Sequence, residues 1–264
     1  MFPGLAPQRR RLLFAIIAVA VAAALVVIFV AVRNAVPSDP VAQDQPGPVL
    51  MVPGLGGSTT GLAVLAGTLR IDGRDVTVMQ LPGDGRGDLR DQAQELADTA
   101  TAALERTGAP SVDVVGYSAG GVVARLWVAD FGGDAIARRV ITLGSPHHGT
   151  QLARLAEDVA PGACPACTQI APHSDLLRQL NAGDETPDGP EFVSIWTTLD
   201  ETVTPPDSAR LDGALGIPVQ SVCADSQVSH SGLITDPLVA GIVVEQLRAS
   251  PPMQLSAQDC RRLS

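Results

Sequence analysis

The chain has 264 residues and a net charge of −10, with 18 basic residues, all Arg, against 28 acids. Four of those Arg (Arg9, Arg10, Arg11, Arg33) lie in or beside the N-terminal segment, so the remainder holds 14 Arg against 28 acids. A surface that acidic repels a phosphate backbone and excludes nucleic acid as a partner, while the roughly 220 residues after that segment are enough for one α/β domain with a full core.

Leu12 to Val32 is an uncharged, almost wholly apolar run of 21 residues. As a helix it spans about 30 Å, the thickness of a hydrocarbon core. Three Arg before it and one after put the N-terminus in the cytoplasm and the rest outside. The expectation is an uncleaved signal-anchor over residues 1–36, leaving a single-pass protein of the cell membrane with its domain extracytoplasmic. The rival is a cleaved secretory signal, which would release the domain. Its apolar region is usually about 7–15 residues and ends in a small-x-small site, and Val32-Arg33-Asn34-Ala35 is a poor one. Both readings export the domain.

Residues 37–47 form a polar, Pro-containing linker. The domain, residues 48–250, then alternates strands with helices. Val49 to Val52 reads as the first strand, Leu62 to Leu69 as part of a helix, and Asp75 to Leu81 as the second strand. Leu89, Ala93, Leu96, Ala97, Ala100 and Leu104 recur at helical spacing. Val112 to Val115 is the third strand, Ser118 to Phe131 a helix, and Arg139 to Leu143 the fourth strand. Residues 146–191 hold no strand and form a cap region beside the site, as long insertions between elements are usually functional. Phe192 to Leu199 and Val219 to Cys223 read as the fifth and sixth strands, Thr235 to Leu247 as the closing helix, and residues 251–264 as an irregular tail. This alternation predicts a mostly parallel sheet of about six strands flanked by helices on both faces.

Between the third strand and its helix stands Gly116-Tyr117-Ser118-Ala119-Gly120. Strand, G-x-S-x-G, helix is a nucleophile elbow: the turn is sharp and strained, and it exposes the Ser hydroxyl above the sheet. A serine hydroxyl needs a general base, and the base needs an orienting carboxylate. Of four His, His230 lies on the loop after the last strand, where chain order Ser, acid, His places the base. His147 and His148 precede any plausible acid and read as structural or as part of the pocket rim; His173 falls in the cap. Asp200 follows the fifth strand directly and is the candidate acid, with Glu201 and Asp207 as rivals. The developing oxyanion needs N–H donors. The amide of Ala119 supplies one, and the Gly-rich loop Pro53-Gly54-Leu55-Gly56-Gly57-Ser58 supplies the other through Leu55. A phosphate-binding loop is the alternative for that segment, but no Lys follows and the charge is wrong.

Four Cys fit an oxidising compartment and allow three pairings, of which Cys164–Cys167 and Cys223–Cys260 are favoured. Cys164-Pro165-Ala166-Cys167 lies in a Gly/Pro-rich stretch and not at a helix start after a strand, against a redox pair. His173 alone does not complete a zinc site, so no metal is expected.

Taken together these segments resemble the small lipases and esterases of the α/β-hydrolase superfamily, of the class 2 bacterial lipase type. The likeness runs through Val49 to Gly57, the elbow, Thr142-Leu143-Gly144-Ser145-Pro146-His147-His148-Gly149-Thr150, Asp200, and Ser229-His230-Ser231-Gly232-Leu233, spanning roughly residues 48–247. Pro53 stands where the family usually has His, and Tyr117 and Ala119 replace the common neighbours of the Ser. The resemblance implies an α/β-hydrolase fold and hydrolysis of carboxylic esters, lipid or small acyl, through an acyl-enzyme on Ser118, with no cofactor. Two alternatives keep the same scaffold: an envelope acyltransferase using the same three residues, and a catalytically dead, membrane-tethered binding protein.

Overall fold

The computed structural model describes Phe14, Val21 and residues 41–264, and the chain divides into two units, Met1–Asp39 and Pro40–Ser264. In the first unit Phe14 and Val21 are helical and exposed; the rest of the span expected over Leu12–Val32 lies outside the described residues. Among the described residues no helix is long and apolar enough to cross a membrane.

The second unit is built on a six-stranded parallel sheet in the order β2-β1-β3-β4-β5-β6. Its strands are β1 (Val49–Val52), β2 (Val76–Val78), β3 (Val112–Tyr117), β4 (Ala137–Leu143), β5 (Glu191–Trp196) and β6 (Leu215–Pro218). β1 reads as a continuous apolar run because both faces of the sheet are covered, while β3 and β4 carry Asp113, Arg138 and Arg139 among their buried apolar residues. In β1, Leu50 and Val52 face one layer while Val49 and Met51 face the other, and all four are fully buried. One layer holds α1 (Thr60–Ile71) and α8 (Pro237–Arg248); the other holds α2 (Leu89–Thr107) and α3 (Ala119–Asp130). Leu62, Leu65, Ala66 and Leu69 form the buried stripe of α1 at helical spacing. Asp88 caps α2 by accepting from the Arg90 N–H, and Gly108 ends it in the left-handed region. Burying each such Leu contributes roughly 1.5–3 kcal/mol.

Several boundaries differ from expectation for identifiable reasons. The second strand covers three residues, not the seven from Asp75 to Leu81. The sixth strand is Leu215–Pro218, while Val219–Val222, expected to be extended, forms the short helix α7. Two features set this edge. Gly216 lies beneath Trp196, where a Cβ would come 3.1 Å from the indole, and Pro218 is tolerated because an edge strand need not donate on its outer side. β5 ends at Trp196, short of Leu199, because the Thr197 hydroxyl donates to the Val228 carbonyl at 2.6 Å and accepts the Leu199 N–H. α8 starts at Pro237, capped by Asp236, and not at Thr235. The tail is not wholly irregular: α9 (Cys260–Leu263) is pinned by the Cys223–Cys260 disulfide and buries Leu263 against the α8 layer. The second disulfide, Cys164–Cys167, lies at the start of the helix α5 (Pro165–Gln169), whose N-cap is Cys164, in the cap between α4 (Gln151–Val159) and α6 (Asp175–Leu180); contrary to expectation the pair stands at a helix start, though not after a strand.

Candidate active site

β1 and β3 are neighbours whose chains continue to opposite sides of the sheet. Crevices outside the carboxyl ends of such strands are where open α/β sheets bind ligands. The loop after β1 and the turn after β3 meet there. Ser118 has φ +54° and ψ −126°, a conformation that a non-Gly residue adopts only at a cost and that lifts its side chain out of the turn. The glycines around it make the turn possible. A Cβ on Gly116 would lie 2.6 Å from the Gly120 oxygen and the Gly121 Cα, and one on Gly120 would lie 2.4 Å from the Val52 oxygen. The helix therefore packs backbone to backbone on two strands.

The structure brings Ser118, His230 and Asp200 together from three loops. His230 Nε2 lies 3.1 Å from Ser118 Oγ, and His230 Nδ1 lies 2.7 Å from Asp200 Oδ2. With Nδ1 carrying the proton toward the carboxylate, Nε2 is left to accept from the Ser hydroxyl. The other carboxylate oxygen accepts from the Thr202 and Val203 amides at 2.9 and 2.8 Å, so Asp200 is held in place as well as buried. Glu201 and Asp207 are exposed, and Asp207 pairs with Arg210 on the surface. Leu55 follows Gly54, whose added Cβ would lie 3.0 Å from Ser118 Cβ, so its loop runs directly past the serine. Ala119 opens α3, where the first amides of a helix have no intrahelical acceptor and the helix dipole favours negative charge.

The profile of the family described as "Lipase (class 2)" matches residues 93–239, more than half of the chain. The chain belongs to the class 2 lipase family. Its fold is shared with lipase B of Aspergillus fumigatus (TM-score 0.69, 21% identity, 83% of this chain and 56% of that one). It is shared also with mature lipase BlEst2 of Bacillus licheniformis (TM-score 0.61, 21% identity, 80% of this chain and 96% of that one). The chain thus spans little more than half the length of the fungal enzyme and nearly all of the mature bacterial one. These likenesses show an α/β-hydrolase fold.

The remaining His of this chain lie elsewhere. His147 is fully buried, its Nε2 3.0 Å from Thr142 Oγ1, and burial first, then Arg125 and His148, hold its pKa well below 6.5. His148 meets Glu185 at 3.0 Å, and His173 accepts from Arg178 through its carbonyl. Among the described residues no group of His, Cys, Asp or Glu could hold a metal ion.

Two contributors escaped sequence reasoning. Tyr117 stacks beside His230 with ring centroids 5.1 Å apart, and its hydroxyl reaches the His230 carbonyl at 3.4 Å. Burial, and secondarily the Asp200 charge, push its pKa up to about 12, so it stays neutral. Its place inside the pentapeptide was the only signal available. The other is Gln92, a buried polar side chain within the apolar stripe of α2; that interruption of the pattern was legible, its purpose was not.

Proposed function

We propose that this class 2 lipase cleaves carboxylic esters through an acyl-enzyme on Ser118. The observation that carries the reading is the continuous path from Ser118 Oγ through His230 to Asp200, 3.1 Å and then 2.7 Å, at a strained elbow. Ser118 Oγ attacks the acyl carbonyl as its proton passes to His230 Nε2. Asp200 orients the imidazole and stabilises its charged form. The amides of Leu55 and Ala119 hold the oxyanion. His230 then protonates the departing alcohol, and a water that it deprotonates attacks the acyl-enzyme and releases the acid. No cofactor enters these steps. Leu55 and Leu199, which flank the site in sequence, are 41% and 44% exposed, which favours an ester with an apolar acyl chain. The two disulfides support an oxidising compartment, in keeping with an exported domain anchored through Leu12–Val32.

The test is fluorophosphonate labelling of the full chain, with p-nitrophenyl esters of increasing acyl length as substrates. Labelling and turnover should both vanish in Ser118→Ala while the protein stays folded; turnover at the wild-type rate in that variant would sink the assignment. Labelling without hydrolysis, together with ester formation on an added alcohol, would indicate acyl transfer instead. A folded wild-type chain that takes no label would indicate a binding protein on an inactive scaffold.

A further inference from the structure

An amide donor stabilises an oxyanion only where its loop is held still, since misplacing a group by about 1 Å can cost on the order of a hundredfold in rate. The loop bearing Leu55 has little side-chain bulk of its own to anchor it, because Gly54, Gly56 and Gly57 surround that residue. Its support comes from residues 82–88, the loop that leads into α2. The Gly56 N–H donates to the Gly85 carbonyl at 3.2 Å. The two loops touch backbone to backbone: a Cβ on Gly85 would lie 2.5 Å from the Gly57 nitrogen.

This supporting loop is held at two points. From the core, Gln92 Nε2 donates to the Gly87 carbonyl at 3.2 Å and lies 3.5 Å from the Gly85 carbonyl. Gln92 is 2% exposed and sits among Leu89, Ala93 and Leu96, where an amide costs stability unless its hydrogen bonds are made. From the cap, the Ala166 N–H of α5 donates to the Arg86 carbonyl at 3.1 Å. Gln169 of the same helix accepts the Leu89 N–H and donates to Asp88 Oδ1, both at 2.8 Å.

We propose that Gln92 and Gln169 are positioning residues for the ester hydrolysis described above, acting through residues 82–88 and Gly56 on the Leu55 amide. The inference rests on the reading of Leu55 as an oxyanion donor. Neither glutamine touches the reacting atoms.

Gln92→Met and Gln169→Met, made in the full chain, keep side-chain length and remove the hydrogen bonds. Each is assayed for kcat and KM, for the pH profile of kcat, and for inhibition by an alkyl boronic acid. That inhibitor accepts Ser118 Oγ at boron, with the proton passing to His230, and presents an oxygen to the oxyanion donors. In folded variants kcat should fall at least about tenfold and boronic acid affinity should fall in parallel. KM should change by less than about twofold and the pH midpoint should stay in place. A folded Gln92→Met with wild-type kcat overturns the proposal, as does a raised KM at unchanged kcat. Should Gln92→Met not fold, Gln169→Met, half-buried at the cap, decides by the same readouts. Turnover retained in Ser118→Ala would remove the underlying reading; Ser118 essential with both glutamine variants at wild-type kcat removes this inference alone.

Discussion

At the amino ends of β3 and β4, Asp113 accepts from Arg138 through both carboxylate oxygens, each at 2.7 Å, and pairs also with Arg74. Arg138 donates further to the Leu247 and Gln43 carbonyls, and Arg139 to those of Gln246 and Ala249. At the carboxyl end of β3, Ser118 meets His230 and Asp200. Both clusters are polar and largely buried, yet they are built differently. The lower one ties the chain entering at Gln43 and the end of α8 to the sheet, through Arg donors matched to a carboxylate and to backbone carbonyls. Its cost is visible in Asp113, whose pKa burial pushes up against its Arg partners, and in Arg139, pushed down to about 10 chiefly by burial. The upper cluster keeps Ser118 in a strained backbone conformation at the start of α3. One end of the strands is tied by a dense ion-pair and hydrogen-bond network, although Arg139 Nε has no partner there among the described residues, and the other brings Ser118, His230 and Asp200 together.

Breaking each end should give opposite phenotypes. The largest effect belongs to Asp200→Asn, which leaves His230 in the wrong tautomer. We expect kcat to fall on the order of 10⁴-fold at little change in unfolding midpoint, measured by ester turnover and denaturant titration. Next comes Asp113→Asn, which strands Arg138 and Arg74 beside a neutral group. It should cost about 3–5 kcal/mol of stability while kcat in the folded fraction stays near wild type. Parallel losses of activity and stability in either variant would dissolve the contrast.

A smaller effect concerns the buried imidazole of His147, beside Thr142 near the carboxyl end of β4. Burial holds the native His147 pKa well below 6.5, near which the unfolded chain takes up its proton. The unfolded state therefore binds more protons below that pH. The native advantage is complete above pH 6.5 and shrinks as pH falls through it toward the depressed native value. Thermal unfolding between pH 7 and 5 should be shallower in its pH dependence for His147→Gln than for wild type, and identical slopes would discount the burial. Smallest of all, Tyr117→Phe removes only a long 3.4 Å hydrogen bond and leaves the ring against His230, so kcat should change by no more than about threefold.

The order in which β-branched runs, helical stripes and the pentapeptide follow one another was enough to give the parallel sheet and the elbow at Ser118, while the Cys164–Cys167 and Cys223–Cys260 pairings were the favoured ones of three. The sheet and the elbow rest on local signals: short apolar runs spaced by helical stripes, and a sharp turn between strand and helix that needs Gly116 and Gly120. Where side chains compete with the backbone, the pattern misled. Thr197 ends β5 early through a bond to Val228, 31 residues on, and Pro218 with the disulfide at Cys223 turns an apparent strand into α7.

Chain order and placement after the expected strands nominated His230 and Asp200. Their 2.7 Å contact, the Thr202 and Val203 amides behind the carboxylate, and the service of Gln92 and Gln169 to a loop more than thirty residues upstream of either were decided only by tertiary structure. The physical reason is one of range. Periodicity and turn chemistry act within a few residues of the chain. The geometry of a site is set by hydrogen bonds between segments that meet only after the sheet has assembled, and nothing in a linear pattern records those distances.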